Sequence, residues 1–163
     1  MGTISAFIDP GSNVSGLAIF ERRTLLLARS FVVPDKTWSY HKKRAWMCEE
    51  ITGAIEDECE DGTIIVELPK IYKGSPVDPE DMIQLATLAG MFRADKYIRP
   101  QDWKRQLKKT KKLEDYLVKK RAEAVLSKDE LLGIEGEETS DVWDSIGMGL
   151  VCLGRLLPGL VKP

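Results

Sequence analysis

The 163-residue chain has three cysteines, one histidine and no long apolar run, and these scarcities exclude several classes of protein. Cys48 and Cys59 lie eleven positions apart in a helical pattern, a separation of about 16 Å that no disulfide can span. No Cys-x-x-Cys occurs and His41 is the only histidine, so a zinc site is not expected. The longest uncharged run toward the C-terminus, residues 145–154, is about half of the ~20 residues that a membrane span needs.

Two further motifs are missing. The N-terminus has no charged flank followed by a long apolar stretch, the pattern of a signal peptide. No Gly-x-x-x-x-Gly-Lys-[Ser/Thr] loop is present, which argues against a nucleotide cofactor. We therefore expect a soluble protein of a reducing compartment, with no membrane partner.

The chain as a whole also lacks a large excess of positive or negative charge. It has 24 Lys and Arg residues and 26 Asp and Glu residues, a formal net charge of -2. This average hides an asymmetry. Residues 99–121 contain ten basic and three acidic side chains, a balance of +7 that leaves -9 for the rest of the chain. Such a layout predicts one basic surface that faces an anion, with the acidic residues gathered elsewhere.

Apolar residues make up 43% of the chain, enough for the core of one domain spanning residues 1–163. Three apolar segments separated by turn signals predict a three-stranded antiparallel meander over residues 3–8, 16–20 and 24–33. Helical stripes then alternate with two short strand patterns at residues 63–66 and 96–98. Together these patterns predict an α/β fold, a mixed five-stranded sheet with helices packed on it.

Four acidic residues stand where a carboxylate is costly. Asp9 ends the first apolar strand, Glu67 ends the strand at 63–66, and Asp141 and Asp144 share one face of the last helix. Each has an ordinary alternative: Asp9 as a turn residue, Glu67 as the partner of a lysine, Asp141 as a complement to the helix N-terminus, and Asp144 as a solvated side chain.

As a set, these four acids predict a metal site. If the two strands are neighbours, the carboxylates converge at one sheet edge, where they repel and raise one another's pKa. Mg²⁺ compensates such a cluster because it prefers carboxylate oxygens and binds substrate phosphates. Beside a +7 segment, the acids indicate a metal-dependent nuclease in which carboxylates hold the metal and lysines hold phosphates.

Several segments resemble the RuvC-type Holliday junction resolvases, in order and over nearly the whole chain. They are residues 4–12 with their Asp-Pro-Gly-Ser turn and the following Gly16, residues 65–67 (Ile-Val-Glu), residues 84–90, and residues 141–144 (Asp-Val-Trp-Asp). Residues 100–104 (Pro-Gln-Asp-Trp-Lys), followed by a lysine run, resemble a segment of phage-type relatives. A relative of this kind would act in the cytoplasm of a bacterial or phage-infected cell.

The resemblance implies a ribonuclease H-like fold, a homodimer, and cleavage of four-way DNA junctions by paired symmetric nicks. Carried over residue by residue, Asp9, Glu67, Asp141 and Asp144 would be the catalytic acids. They would hold two Mg²⁺ ions, for which Mn²⁺ can substitute, and water would attack the phosphodiester. The sequence departs from the family at Glu138, where a histidine is common.

Candidate DNA contacts lie in two segments and one turn. Ser12 follows Asp9, and the loop after Glu67 carries Tyr72, the one aromatic there that could stack on an unpaired base. The lysines beside Tyr72 and the basic run are candidate phosphate contacts, although a charge run is also typical of a solvated helix face; they are Lys70, Lys73, Lys104, Arg105, Lys108, Lys109, Lys111 and Lys112.

An apolar helical stripe after the second acid is the candidate dimer interface. It comprises Met82, Leu85, Leu88, Ala89 and Phe92. The same three- and four-residue spacing is equally typical of a helix that packs on its own sheet.

Three other functions remain open on the sequence. A ribonuclease H-like nuclease could act on other branched DNA, on hybrids or on RNA. An actin-like ATPase could use the Asp-Pro-Gly-Ser turn to hold phosphate, but such proteins need two domains. A non-catalytic junction-binding module would not require all four acids.

Overall fold

A central sheet is built from six strands in the part of the chain that the computed structural model describes, residues 3–58, 61–69, 78–104 and 114–156. The strands are β1 (Ile4–Asp9), β2 (Val14–Glu21), β3 (Thr24–Val32), β4 (Thr63–Glu67), β5 (Lys96–Ile98) and β6 (Ile134–Glu135). The helices are α1 (Tyr40–Glu58), α2 (Pro79–Met91), α3 (Pro100–Lys104), α4 (Glu114–Glu123), α5 (Lys128–Leu132) and α6 (Ser140–Cys152).

The strand order is β5-β4-β1-β2-β3-β6, which places β1 in the interior of the sheet. β1, β2 and β3 pair antiparallel, so the predicted meander is confirmed. β4 pairs parallel with β1, and β5 pairs parallel with β4. The predicted mixed sheet is confirmed, with one strand more than expected: β6 pairs with β3 over two residues, too few to show a strand pattern in the sequence.

Alternation along the strands divides the core between the two faces of the sheet. Phe7 lies on the face covered by residues of α3, α4 and α6, which we call the α6 face. Ile8 lies on the opposite face, covered by α1 and α2, which we call the α1 face. Asp9 is two residues after Phe7, and Glu67 is two residues after Ile65, which also belongs to the α6 face. Both acids therefore lie on the side of the sheet where α6 packs.

Helix α6 is buried over most of its length, because it packs against β1, β2 and α4. Its N-cap is Thr139, whose side chain accepts a hydrogen bond from the N–H of Val142 at 3.4 Å. Every residue from 142 to 151 is buried, including Asp144 and Ser145. Across the described ranges, no helix combines the length and the apolar character needed to cross a membrane.

The apolar stripe on α2, the candidate dimer interface, packs within its own chain. Leu88, Ala89 and Phe92 are buried against the α1 face of their own chain, with Met82 also buried and Leu85 half-buried. The stripe is therefore used inside the protomer, the alternative that its spacing left open. The solvent side of α2 carries Ile83, which is 63% exposed.

A buried carboxylate ties α5 to the chain around it. Glu130 accepts hydrogen bonds from the N–H groups of Leu25 and Ser127, both at 2.8 Å, and pairs with the Arg155 guanidinium through both oxygens. Burial raises the pKa of Glu130, but the hydrogen bonds from Arg155 and from the two N–H groups outweigh it and lower the pKa from 4.5 to about 2.

Glu130→Gln is expected to lower the free energy of unfolding at pH 7 by about 3 kcal/mol, because it leaves Arg155 buried without its anion. A depressed pKa in the folded state contributes stability that is present above the unfolded pKa and is lost as pH falls through the folded one. The difference between wild type and variant should therefore shrink as the pH falls from 4.5 to about 2. Urea unfolding at several pH values measures it.

The matched control is Glu135→Gln. Glu135 lies 3.9 Å from Arg29 in a surface pair with both side chains about half exposed, and such a pair contributes roughly 0–1 kcal/mol. An equal loss in both variants would contradict the role given to Glu130.

Candidate active site

The carboxyl ends of β1 and β4 meet at one edge of the sheet, because these neighbouring strands are parallel. Asp9 and Glu67 are their last residues. The first turns of α6 lie against the same edge: the N–H of Asp9 donates to Ser145 Oγ at 3.2 Å, and that hydroxyl donates to the carbonyl oxygen of Asp141 at 3.0 Å. Ser145 thus links the end of β1 to the helix that carries Asp141 and Asp144.

Gly16 allows this close approach, and Gly11 lies beside it. Gly16 is paired with Asp9 across the β1–β2 ladder, and a Cβ atom there would lie 2.0 Å from the carbonyl oxygen of Asp141. At Gly11, in the turn after β1, a Cβ would lie 3.6 Å from Asp141 Oδ1. The Asp141 carboxylate is therefore near the turn that follows Asp9.

Helix α3 brings two side chains to the second acid. Glu67 is 6% exposed, and its Oε2 accepts a hydrogen bond from Trp103 Nε1 at 2.7 Å. Its Oε1 lies 3.3 Å from Lys104 Nζ, which is also 2.7 Å from Asp144 Oδ2. Lys104 therefore bridges Glu67 and Asp144.

The four acids form one electrostatic unit, which we call the acid cluster: Asp9, Glu67, Asp141 and Asp144. Burial raises the pKa of Asp9 well above its usual value, and repulsion from the other three acids raises it further, against the opposing effect of Lys104. Burial also raises the pKa of Glu67. Burial lowers the pKa of Lys104, but the carboxylates outweigh this and raise it above its usual range.

The donor set of the acid cluster suits a divalent cation. Four carboxylates (-4) and the Lys104 ammonium (+1) leave a formal charge of -3 at the edge, as far as the described residues show. Oxygen ligands of this kind are those that Mg²⁺ and Mn²⁺ prefer. Within the described ranges, no group of three or more Asp, Glu, His or Cys side chains is arranged so that it could hold a metal ion without moving. Lys104 instead contacts two of the four acids.

The other predicted site residues are placed as follows. Ser12 is half-buried in the turn between β1 and β2. Glu138, at the position where a histidine is common in the family, pairs with Lys119 on the surface. Most of the candidate DNA contacts lie outside the described residues: Lys70, Tyr72, Lys73, Arg105, Lys108, Lys109, Lys111 and Lys112.

Sequence reasoning missed one buried cation near the site. Lys43 is 8% exposed, and its Nζ donates to Asn13 Oδ1 at 2.8 Å, in the turn that follows Asp9. The residues around it in the sequence are basic and indicate a solvated face. The available signal was its spacing, since Lys43 extends the four-residue series of the buried Met47, Ile51 and Ile55.

No family model and no curated protein matches this sequence. Solved structures do match. RuvC of Thermus thermophilus in complex with a Holliday junction substrate has a TM-score of 0.61 at 15% identity, over 96% of this chain and 99% of that one. Another Thermus thermophilus RuvC structure has a TM-score of 0.52 at 16% identity, with the same coverage of 96% and 99%. The yeast mitochondrial Holliday junction resolvase Ydc2 has a TM-score of 0.57 at 15% identity, over 95% and 80%. The chain therefore has the fold of the RuvC-type Holliday junction resolvases, a ribonuclease H-like fold.

Proposed function

We propose that this chain is a divalent-metal-dependent endonuclease that resolves four-way DNA junctions by paired symmetric nicks. The observation that carries the proposal is the acid cluster, in which three separate elements bring four carboxylates to the end of an interior strand. Proteins of the same fold include a RuvC solved with a Holliday junction substrate. The four acids occur along the chain in the same order as in that family, and they lie at one edge of the sheet. Both observations support the same function.

The chain's own residues would hold and orient the catalytic groups. Asp9, at the end of an interior strand, would hold the metal together with Glu67, Asp141 and Asp144. Trp103 fixes one oxygen of Glu67, and Ser145 fixes the backbone of Asp9. When bound, Mg²⁺ or Mn²⁺ supplies activation of the attacking water and neutralises charge on the phosphate. In this mechanism no side chain acts as the nucleophile.

The partner in this proposal is branched DNA, bound by a homodimer. Two symmetric nicks require two active sites, and each protomer supplies one as a single nuclease domain over residues 1–163. Within the basic run, Lys104 is the member that the structure describes, and it lies in the acid cluster. Phosphate contacts are therefore assigned to the other members, Arg105, Lys108, Lys109, Lys111 and Lys112, and to the loop residues Lys70 and Lys73. Ser12 would be a further DNA contact, and Tyr72 would stack on an unpaired base.

A cleavage panel tests the proposal and its main alternative. A labelled four-way junction, a flap, a linear duplex, an RNA–DNA hybrid and a single-stranded RNA are incubated with the protein, with and without Mg²⁺. The proposal expects paired nicks in the junction only when Mg²⁺ is present. Preferential cutting of the hybrid, the RNA or the flap would assign the site to a nuclease with another substrate. Cleavage that persists in a chelator would overturn the metal role.

A further inference from the structure

Lys104 has the contacts of a counter-ion rather than those of an exposed phosphate-binding lysine. Its ammonium lies 2.7 Å from Asp144 Oδ2 and 3.3 Å from Glu67 Oε1. Its side chain is 23% exposed, and those of Glu67 and Asp144 are 8% and 10% exposed. A charged group held this closely between two buried carboxylates compensates their desolvation.

We propose that Lys104 is a built-in counter-cation that competes with divalent metal for Glu67 and Asp144, and so sets the metal affinity of the acid cluster. This inference rests on the proposed function, since it assumes that the cluster binds metal. The inference adds a control of metal affinity, which neither the carboxylates nor the rest of the basic run provides by itself.

The charge count explains why the two kinds of cation compete. Counted formally as ionised groups, the four carboxylates contribute -4 and Lys104 contributes +1 among the described residues. One divalent ion leaves -1 when Lys104 stays in place, and a second would bring the site to +1. Without the ammonium, two divalent ions balance the four acids. Lys104 therefore disfavours full occupancy until it moves away.

The contacts of α3 are compatible with a movement of Lys104 that leaves Glu67 oriented. The neighbouring Trp103 is fully buried and donates to Glu67 Oε2 at 2.7 Å. Lys104 contacts the other oxygen, Oε1. Trp103 thus anchors α3 and one oxygen of Glu67, and the flexible lysine side chain can leave Oε1 and Asp144 Oδ2 by rotation alone.

The test measures Mn²⁺ binding by calorimetry, without DNA, in wild type and in two variants. Lys104→Gln removes the charge, and we expect it to bind Mn²⁺ at least tenfold more tightly. Lys104→Arg keeps the charge and can hold two carboxylates through its planar fork, so it should bind Mn²⁺ more weakly than wild type. The expected order of affinity is Gln, then Lys, then Arg.

The control variant is Lys119→Gln, because Lys119 pairs with Glu123 and Glu138 on the surface and contacts none of the four acids in the structure. Its Mn²⁺ affinity should equal that of wild type. If Lys104→Gln fails to fold, the comparison of wild type with Lys104→Arg still decides, and an arginine variant that binds as tightly as wild type overturns the inference.

Failure of the inference and failure of the proposed function give different results. Equal or weaker Mn²⁺ binding by Lys104→Gln, with measurable binding by wild type, overturns the role of Lys104 alone. Mn²⁺ binding by none of the proteins overturns the metal site itself. A second readout follows from the same charges: without metal, Lys104→Gln should melt at a lower temperature than wild type, and saturating Mn²⁺ should close that gap.

Discussion

Asp9→Asn is expected to abolish junction cleavage while junction binding persists or tightens. The amide keeps the shape of the side chain but removes the charge of the acid that ends β1, in the interior of the sheet. Loss of several kcal/mol of transition-state stabilisation corresponds to a rate reduction of about 10³-fold or more. Binding should not suffer, because one negative charge fewer faces the DNA phosphates.

The same substitution is expected to stabilise the protein when no divalent ion is present. Glu67, Asp144 and Asp141 all repel the Asp9 carboxylate, whose pKa is raised well above its usual value by burial and by this repulsion. Replacing it with a neutral side chain should raise the free energy of unfolding by about 1 kcal/mol or more at pH 8. An increase in stability together with a loss of activity is the expected behaviour of a residue kept for function.

Single-turnover cleavage, gel-shift binding and urea unfolding measure the three effects in one preparation. Asp57→Asn is the control, because Asp57 is exposed on α1, and it should change none of them. Cleavage retained by Asp9→Asn would contradict the metal role, and a variant that loses binding and stability together would indicate a structural role instead.

The sequence was informative wherever a pattern is local. Alternating apolar residues predicted β1, β2 and β3, and the three-residue spacing of Asp141 and Asp144 placed both at the start of α6. The convergence of Asp9 and Glu67 depended on two strands being neighbours, and the strand order shows that they are. What lacked a local pattern was missed. β6 has two residues, and two partners of Glu130, Arg155 and Leu25, are 25 and 105 positions away.

The sequence also could not predict which of several similar residues makes a contact with residues far away in the chain. The basic run presents Lys104 as one of six comparable side chains, and only the position of α3 beside β4 and α6 shows that this lysine reaches Glu67 and Asp144. The surface against which the α2 stripe packs was equally hard to predict. Its spacing requires an apolar surface to pack against, and the α1 face of the sheet supplies one within the chain.

Gly16→Ala is expected to cause a large loss of stability, about 3 kcal/mol. A Cβ atom at this position would lie 2.0 Å from the carbonyl oxygen of Asp141 and 2.7 Å from Ser145 Oγ. The first of these is a backbone atom in the first turn of α6, so relief requires the helix to move away from β2. Inserting an extra carbon into such a contact costs about 1–3 kcal/mol, and the upper end applies where no flexible side chain can yield.

The loss of activity should exceed the loss of stability, because the displaced turn carries Asp141 and the hydroxyl that binds the N–H of Asp9. Cleavage measured at a temperature where Gly16→Ala is still fully folded separates the two effects. Gly53→Ala is the matched control: Gly53 lies inside α1, where an added Cβ would meet no described atom within 4 Å beyond its own stretch of helix, and alanine there should add about 0.5–1 kcal/mol. If Gly16→Ala were as stable and as active as wild type, α6 could not lie against β2 this closely, and Asp141 and Asp144 would lose the support that brings them to Asp9.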